Sequence, residues 1–159
     1  PAKKFETVGE NTDPVTVRTL ADGGKRYVYL VNREYYPSDV TLALTNATGK
    51  IVNLSDNSKQ PATATWNLKL GACELQSFAL APEVGIAGFT ATQPPEPIAQ
   101  LTRDAGTVLE KIKTKQAAGA KVPADTTGLA SEIQKTLSQS RWAALRQLLE
   151  SPTIIQSFQ

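Results

Sequence analysis

The first side chains to consider for chemistry are four carboxylates spread over the first half of the sequence. Two carboxylates held about 5 to 10 Å apart across a sugar can hydrolyse a glycosidic bond. Each of these four, however, lies near a turn or alternates outward from a predicted strand. We therefore interpret them as solvated surface charges and predict no catalytic residue in this chain. They are Glu34, Asp39, Asp56 and Glu74.

Four tyrosines are better candidates for a binding role, because flat rings can pack against the C–H faces of sugars. Tyr27 and Tyr29 are two residues apart and so share one face of a strand, directed outward if the residues between and after them are buried. Tyr35 and Tyr36 lie in a turn and form the pair expected to be exposed. All four are candidate carbohydrate contacts, but cross-strand pairing or packing against a neighbouring domain is the simpler interpretation of Tyr27 and Tyr29.

Two further residues are expected in the core, and the composition excludes several kinds of site. Trp66 alternates in phase with buried positions, and Cys73 is expected to be a small buried hydrophobe. The sequence has no His, which excludes Ser-His-Asp and Cys-His nucleophiles. No spacing suits a metal, and neither Gly23-Gly24 nor Gly85 with Gly88 forms a phosphate loop, so we predict no metal and no cofactor. These glycines are interpreted as turns.

Charge and hydropathy exclude two classes of partner. The net charge of +2 is spread thinly along the chain, without the dense basic patch that nucleic-acid binding requires. No run of eighteen apolar residues is present, so membrane insertion is not predicted. The chain begins at Pro1 and contains no Met, from which we expect a segment of a longer reading frame or the mature end of a processed one.

The sequence before residue 92 has the pattern of β-strands. Short β-favouring runs recur at roughly ten-residue spacing between turn residues, which is typical of an antiparallel sandwich. In the run after Pro37, Val40, Leu42 and Leu44 alternate with polar or small residues, which predicts a strand with one buried face. Where Leu75 and Phe78 are three apart, we expect a bulge or a strand covered on both faces. The predicted strands are 15–20, 26–33, 40–44, 51–54, 64–70 and 73–81, with 5–8 as a further edge strand.

The chain changes character at 92–97, where three prolines in four residues favour an extended connector. Beyond it, apolar residues step by three and four, which predicts a helix from 98 to about 115 that ends at Gly119. A second helix is expected after Thr126-Thr127, and a third from Ser138 or Ser140 to Pro152. The predicted domains are a sandwich at 1–92, a linker at 93–97 and a helical hairpin or small bundle at 98–159. The fold class is an all-β, immunoglobulin-like antiparallel sandwich of about six or seven strands, followed by two or three helices.

The order of these strand sequences resembles the C-terminal β-sandwich of multi-domain glycoside hydrolases. The resemblance is carried by DPVTVR at 13–18, YVYLVN at 27–32, VTL at 40–42 and LGACELQSF at 70–78. The tail segment SRWAALRQLLES at 140–151 also resembles helices that follow such domains. One departure is that Gly71 and Cys73 stand where the family's closing motif often has Pro and an aromatic residue.

The resemblance implies a non-catalytic accessory module that packs against and stabilises a catalytic barrel. The implied partner is an intramolecular catalytic domain upstream of Pro1, which carries the two carboxylates, and carbohydrate is a further candidate partner. An extracellular or periplasmic location is favoured on the same ground. Two alternatives stay open. One is a carbohydrate-binding module that uses the surface aromatics, and the other is a structural cell-surface domain whose helical tail contacts a partner.

Overall fold

A computed structural model describes residues 3–119 and 126–158 of the chain. The chain divides into two compact units, with the boundary between Pro94 and Pro95. The first unit contains antiparallel sheets and the second contains helices, so the change from a β-rich to a helical region is confirmed.

Nine strands form two antiparallel sheets in the described part of the first unit, where six or seven strands were expected. A six-stranded sheet has the order β1-β2-β3-β8-β5-β6, and a three-stranded sheet has the order β7-β4-β9. The strands are β1 (Glu6–Thr7), β2 (Val15–Asp22), β3 (Lys25–Asn32), β4 (Ser38–Thr45), β5 (Lys50–Asn53), β6 (Lys59–Pro61), β7 (Thr65–Leu70), β8 (Leu75–Leu80) and β9 (Gly85–Thr92).

One hydrophobic cluster is shared by the inner faces of both sheets. In β4 the alternation of apolar and polar residues places Val40, Leu42 and Leu44 inside, as predicted. Val28 and Leu30 of β3 bury their side chains in the same cluster from the six-stranded sheet. Trp66 is buried there too, with its ring edge-on to Phe78 at a centroid distance of 4.8 Å, so its assignment to the core is correct. Each sheet therefore has an inner face and an outer face.

Of the two explanations expected for the apolar spacing at 73–81, the structure shows the second, a strand covered on both faces. Strand β8 pairs with β3 without a register shift from Leu75 to Leu80, and its last three residues are all buried, so both faces of its end are covered. The shift in register occurs instead between Ala43 and Leu44, where β4 pairs with β9. Covering on both faces, and not a bulge, explains the apolar spacing of β8.

Two strands were not predicted. Strand β6 is short, polar and exposed, so no hydrophobic pattern marks it. Strand β9 contains Gly85 and Gly88, and their interpretation as turns is wrong. Gly85 lies opposite Thr45, and a Cβ at position 85 would collide with the Thr45 hydroxyl. Glycine here allows the close approach of two strands and does not mark a turn.

The second unit has four helices in its described residues. They are α1 (Pro95–Ala117), α2 (Thr126–Ser138), α3 (Trp142–Leu149) and α4 (Pro152–Phe158). Pro95 and Pro97 belong to the first turn of α1, where a missing N–H has no intrahelical partner to lose. The linker predicted at 93–97 is therefore mostly helix. Pro152 likewise begins α4, a helix that the sequence pattern did not predict.

The predicted apolar stripe of α1 forms the core of this unit. Leu101, Ala105, Val108 and Ile112 are buried, and Ile133, Leu145 and Ile154 from the other three helices join the same cluster. Near the end of α1, the ammonium of Lys115 bonds to the Ser157 carbonyl oxygen and lies 5.0 Å from the ring centroid of Phe158. Among the described helices, none is both long and apolar enough to cross a membrane.

Candidate functional site

The outer face of the six-stranded sheet carries aromatic and aliphatic side chains in register across its central strands. Directly opposed residues of antiparallel strands share a face, and the pairing of β2, β3, β8 and β5 defines three rows. We call this surface the tyrosine face. Its rows are Leu20, Tyr27, Ala79 and Val52; Arg18, Tyr29 and Ser77; and Thr16, Val31 and Leu75.

The side chains of the tyrosine face contact one another but remain partly open to solvent. Phe5, just before β1, packs edge-on against Tyr29 with ring centroids 5.0 Å apart. Tyr27, Tyr29 and Val31 are half-buried, and Leu75 is 60% exposed. Leu75 is the first residue of β8 and ends the third row, where its exposed side chain is a surface that another apolar surface could cover.

Charges lie mainly at the edges of the tyrosine face. Asp22 and Lys25 are in the β2–β3 hairpin, and Lys50 lies on β5 near the other margin. The Lys3 ammonium bonds to Asp22 and holds the pKa of that carboxyl below its usual range. Arg18 is the charged residue in the three rows themselves. Arg18 lies in the middle row beside Tyr29, and the other charges form a margin around the apolar side chains, as polar rims do in protein–protein interfaces.

The outer face of the three-stranded sheet has the opposite composition. The same pairing argument places Asp39, Thr41, Ala43 and Thr45 of β4 on this outer face. Lys69, Asn67 and Thr65 lie beside them on β7, and Thr92, Thr90 and Gly88 on β9. The Thr41 hydroxyl donates to the Asn67 side-chain oxygen at 2.7 Å. Since this face consists of polar and small residues, we call it the threonine face.

The structure separates the four tyrosines that the sequence grouped as carbohydrate contacts. Tyr27 and Tyr29 share the tyrosine face. Val28 and Leu30 are buried, which is the condition under which the two tyrosines were expected to point outward. Tyr35 is 70% exposed, but Tyr36 is only 7% exposed. The expectation that Tyr35 and Tyr36 form an exposed pair is therefore wrong for Tyr36.

The burial of Tyr36 follows from the hydrogen bonds of Asn32 at the end of β3. The buried Asn32 amide donates to the Tyr36 carbonyl at 2.7 Å and to the Gly71 carbonyl at 2.8 Å, and its oxygen accepts from the Glu34 N–H at 3.1 Å. These bonds draw the loop after β3 against the turn between β7 and β8. A buried amide with three bonds holds both loops in one position.

The four carboxylates differ in their surroundings. Asp39 and Asp56 are exposed, as expected for solvated surface charges. Glu34 is instead fully buried, so its interpretation as a surface charge is wrong. Glu74 is half-buried, and its carboxylate accepts hydrogen bonds from the Gly71 N–H and, at 2.9 Å, from the Gln76 amide. Both glutamates belong to the loops that Asn32 connects.

Cys73 is exposed, and the expectation of a buried thiol is also wrong. It occupies the turn between β7 and β8 with a φ of 51°, a left-handed conformation that removes it from the strand pattern. Its N–H donates to the Glu34 carbonyl at 2.8 Å. Across residues 3–119 and 126–158, no group of three or more acidic or Cys side chains is placed to hold a metal ion.

The aliphatic members of the tyrosine face were not recognised from the sequence. Leu20, Val52 and Leu75 come from three strands that are far apart in the chain, and only the strand register brings them beside the tyrosines. One feature of the sequence does indicate an apolar outer face. In β3, tyrosines on one side of the strand alternate with aliphatic residues on the other. A strand that is apolar on both sides indicates that both faces are covered.

The comparisons with known proteins give a partial likeness. No protein-family model and no curated protein matches this chain. Two solved structures that match part of it are the crystal structures of AmyP in complex with maltose and of a variant of AmyP in complex with maltotriose. Each match has 16% sequence identity and a TM-score of 0.41, and covers 48% of this chain. The matched part is 16% of the length of those chains.

Proposed function

We propose that this chain is a non-catalytic accessory module of a larger glycoside hydrolase-like protein, in which the two sheets form a β-sandwich. The tyrosine face packs against the catalytic domain of that protein and stabilises it. The observation that carries this proposal is the contrast between the two outer faces. The tyrosine face carries two tyrosines and several aliphatic side chains, with Arg18, Ser77 and Thr16 among them. The threonine face carries threonines, asparagine, charged residues and small residues, and no large apolar side chain.

The identity of the covering partner comes from the resemblance of the strand sequences to accessory domains of glycoside hydrolases. In such proteins the module and the catalytic barrel belong to one polypeptide, so the face is covered as soon as both parts have folded. Interfaces between domains of one chain bury about 600 to 1,500 Å².

Burial of the apolar area of the tyrosine face would stabilise the interface. Each buried apolar square ångström contributes about 25 cal/mol, and burying a leucine side chain contributes about 1.5 to 3 kcal/mol. Leu75, Val31 and the ring of Tyr29 present such area outward. Packing against a second domain would therefore add several stabilising contacts without new polar pairs.

A carbohydrate-binding role of the same face is the second candidate, since Tyr27 and Tyr29 are neighbours on it. The aliphatic residues favour the domain interface. A sugar platform relies on flat rings, whereas Leu20, Val52 and Leu75 offer branched side chains suited to interdigitation with another protein surface.

The experiment uses the longer protein and compares Leu75→Lys on the tyrosine face with Thr90→Lys on the threonine face. Calorimetry should show that Leu75→Lys lowers the unfolding temperature of the catalytic domain by several degrees, because a buried lysine charge disrupts the interface. Thr90→Lys should leave it unchanged. Neither change should alter the melting of the isolated chain by more than about one degree, since both side chains are exposed there. Equal effects of the two variants in the longer protein would refute the proposal.

A further inference from the structure

At one end of the six-stranded sheet, the inner face carries a charged side chain in place of an apolar one. Val28 and Leu30 of β3 are buried in the core, and Arg26 is the next residue of β3 on the same side. On β2, Thr19 is opposite Val28 and is 8% exposed, whereas Ala21, two residues further along, is exposed. The inner face therefore opens to solvent beside the β2–β3 hairpin.

A cleft of about 330 Å³ lies at this open end, and we call it the arginine cleft. Its volume is at the lower end of the range of about 300 to 1,000 Å³ that small-molecule sites occupy. Residues of three neighbouring strands and of the segment before β1 line it. Those on the inner side are Lys4, Glu6, Thr19, Ala21 and Arg26.

The strand register places two cations on either side of a small residue. Glu6 pairs with Thr19, and the same register continued by two residues sets Lys4 opposite Ala21. Arg26 is opposite Ala21 on the other side. Because neighbouring strands lie about 4.8 Å apart, the Cα atoms of Lys4 and Arg26 are about 10 Å apart across the methyl group of Ala21. The space between the two long side chains lies above Ala21.

The guanidinium of Arg26 is partly withdrawn from water without an acid to pair with. Its Nη1 donates to the Thr19 hydroxyl at 3.3 Å, which orients the group. Its Nε is buried and bonds to no atom of the described residues. No carboxylate in the described part of the chain forms an ion pair with Arg26. A charge in this position pays a desolvation cost that a bound anion at the cleft would offset.

The other charges of the cleft leave an excess of positive charge. Lys4 likewise forms no ion pair within the described residues, whereas Lys3 is bonded to Asp22. Glu6 is the acid among the residues that line the cleft. With Asp22 counted, the three bases Lys3, Lys4 and Arg26 outnumber the two acids. The cleft therefore attracts anions.

We infer that the arginine cleft binds a phosphate group, either as inorganic phosphate or on a small molecule. A phosphate has oxygens on all sides, so one group can accept hydrogen bonds from the Arg26 guanidinium and the Lys4 ammonium at once. A carboxylate has both oxygens on one side and would be held by the guanidinium alone. Two cations without ion-pair partners also match a doubly charged anion better than a singly charged one.

This inference does not rest on the proposed function. Lys4, Thr19 and Arg26 occupy inner-face positions at the end of the sheet, whereas the tyrosine face is the outer surface. Leu20 is the member of the tyrosine rows that also lines the cleft. The affinity of the isolated chain for phosphate is thus independent of what covers the tyrosine face.

The experiment is an NMR titration of the full chain with sodium phosphate at mildly alkaline pH, where phosphate is a dianion. Sodium chloride holds the ionic strength constant, because salt screens exposed charges. The backbone amide signals of Thr19, Ala21 and Arg26 should shift in a saturable way. Arg26→Gln should weaken the binding about tenfold or more, and Lys4→Gln about 3- to 10-fold, as expected for the loss of charge-assisted hydrogen bonds.

Two further variants separate the site from the general charge of the protein. Lys25→Gln removes the same charge from the neighbour of Arg26, on the opposite side of β3, and should change the affinity by less than about twofold. Glu6→Gln removes a carboxylate that repels the anion and should strengthen the binding about 2- to 5-fold.

Thermal denaturation gives an independent measurement. Phosphate should raise the melting temperature of the wild type, because it binds the folded chain, and should not raise that of Arg26→Gln. Similar melting of the two proteins without phosphate shows that the variant is folded.

Glycerol 3-phosphate and acetate complete the titrations. Tighter binding of glycerol 3-phosphate than of inorganic phosphate supports the site and identifies its ligand as a phosphorylated small molecule, and the reverse order supports it with the free ion as ligand. The inference is overturned if phosphate causes no saturable shift, or if acetate binds as tightly as phosphate. It is also overturned if Lys25→Gln weakens the binding as much as Arg26→Gln does.

Discussion

The two sheets of the first unit have similar inner faces but very different outer faces. Inside, Leu30 of the six-stranded sheet and Leu42 of the three-stranded sheet are equally buried in one core. Outside, the tyrosine face presents rings and branched aliphatic chains, and the threonine face presents hydroxyls, amides and charges. Exposure to water accounts for the polar composition of the threonine face but not for the apolar composition of the tyrosine face. We propose from this difference that the outer face of the six-stranded sheet packs against a second apolar surface.

The largest expected effect tests whether the inner faces are as alike as their burial indicates. Leu30→Ala and Leu42→Ala should each destabilise the isolated chain by about 2 to 5 kcal/mol, because each removes a fully buried side chain and leaves a cavity. Chemical denaturation followed by tryptophan fluorescence measures both, in a Trp142→Phe background that leaves Trp66 as the single tryptophan. If one of the two costs less than about 1 kcal/mol, the sheets do not share one core equally.

A somewhat smaller effect is expected at the junction between the sheets. Asn32→Ala removes three hydrogen bonds and leaves the Tyr36 and Gly71 carbonyls without their amide donor. We expect a loss of about 2 to 3 kcal/mol of unfolding free energy. Asn67→Ala, which removes an exposed amide with a single hydrogen bond from Thr41, serves as the matched control and should cost at most about 1 kcal/mol. Equal losses would show that the junction does not depend on Asn32.

The threonine face contains a glycine pair that tests its strand geometry. Gly85→Ala should destabilise the chain by about 1 to 2 kcal/mol, because the new methyl group collides with the Thr45 hydroxyl. Gly88→Ala lies opposite Ala43 with open space around its Cβ and should be neutral or slightly stabilising. Thermal denaturation distinguishes them. Thr45→Ala should rescue Gly85→Ala, and a failure to do so would contradict the proposed collision.

The smallest expected effect concerns a loop contact at one end of the sheets. The Thr48 hydroxyl donates to the Glu83 carboxylate at 2.7 Å and lowers the pKa of that carboxyl below its ordinary value of 4.5. Thr48→Val should raise this pKa towards the ordinary value, as a carboxyl-carbon NMR titration would show. A carboxyl with a depressed pKa stabilises the fold above its unfolded pKa and loses that contribution as the pH falls through the folded pKa. The variant should therefore differ from the wild type at neutral pH and converge with it in acid, by a small amount because Glu83 is exposed.

Much of the fold could be predicted from the sequence where a single rule decides the structure. In β4 the alternation of Val40, Leu42 and Leu44 identifies a strand with one buried face, and the stripe of α1 identifies a helix. Both follow from local spacing alone. Strand β9 could not be recognised in this way, because its glycines are required by a close approach to Thr45 that only the folded register creates.

The candidate site could be predicted only in part for the same reason. Tyr27 and Tyr29 are neighbours within one strand, so their shared face follows from sequence. Leu20, Val52 and Leu75 join them through pairing across distant segments, which no local pattern encodes. The burial of Glu34 and Tyr36 likewise depends on Asn32, whose amide bonds to two loops. One of these bonds goes to Gly71, which is 39 residues away in the sequence. Such contacts are properties of the folded chain.

The central proposal is that this chain belongs to a longer protein, in which the tyrosine face is covered and the threonine face is not. Hydroxyl-radical footprinting tests this most directly, by comparing the isolated chain of 159 residues with the longer protein. We expect Tyr27, Tyr29 and Leu75 to be labelled several-fold less in the longer protein, while Lys69 on the threonine face is labelled equally in both. Equal labelling of all of these residues in the two proteins would contradict the account.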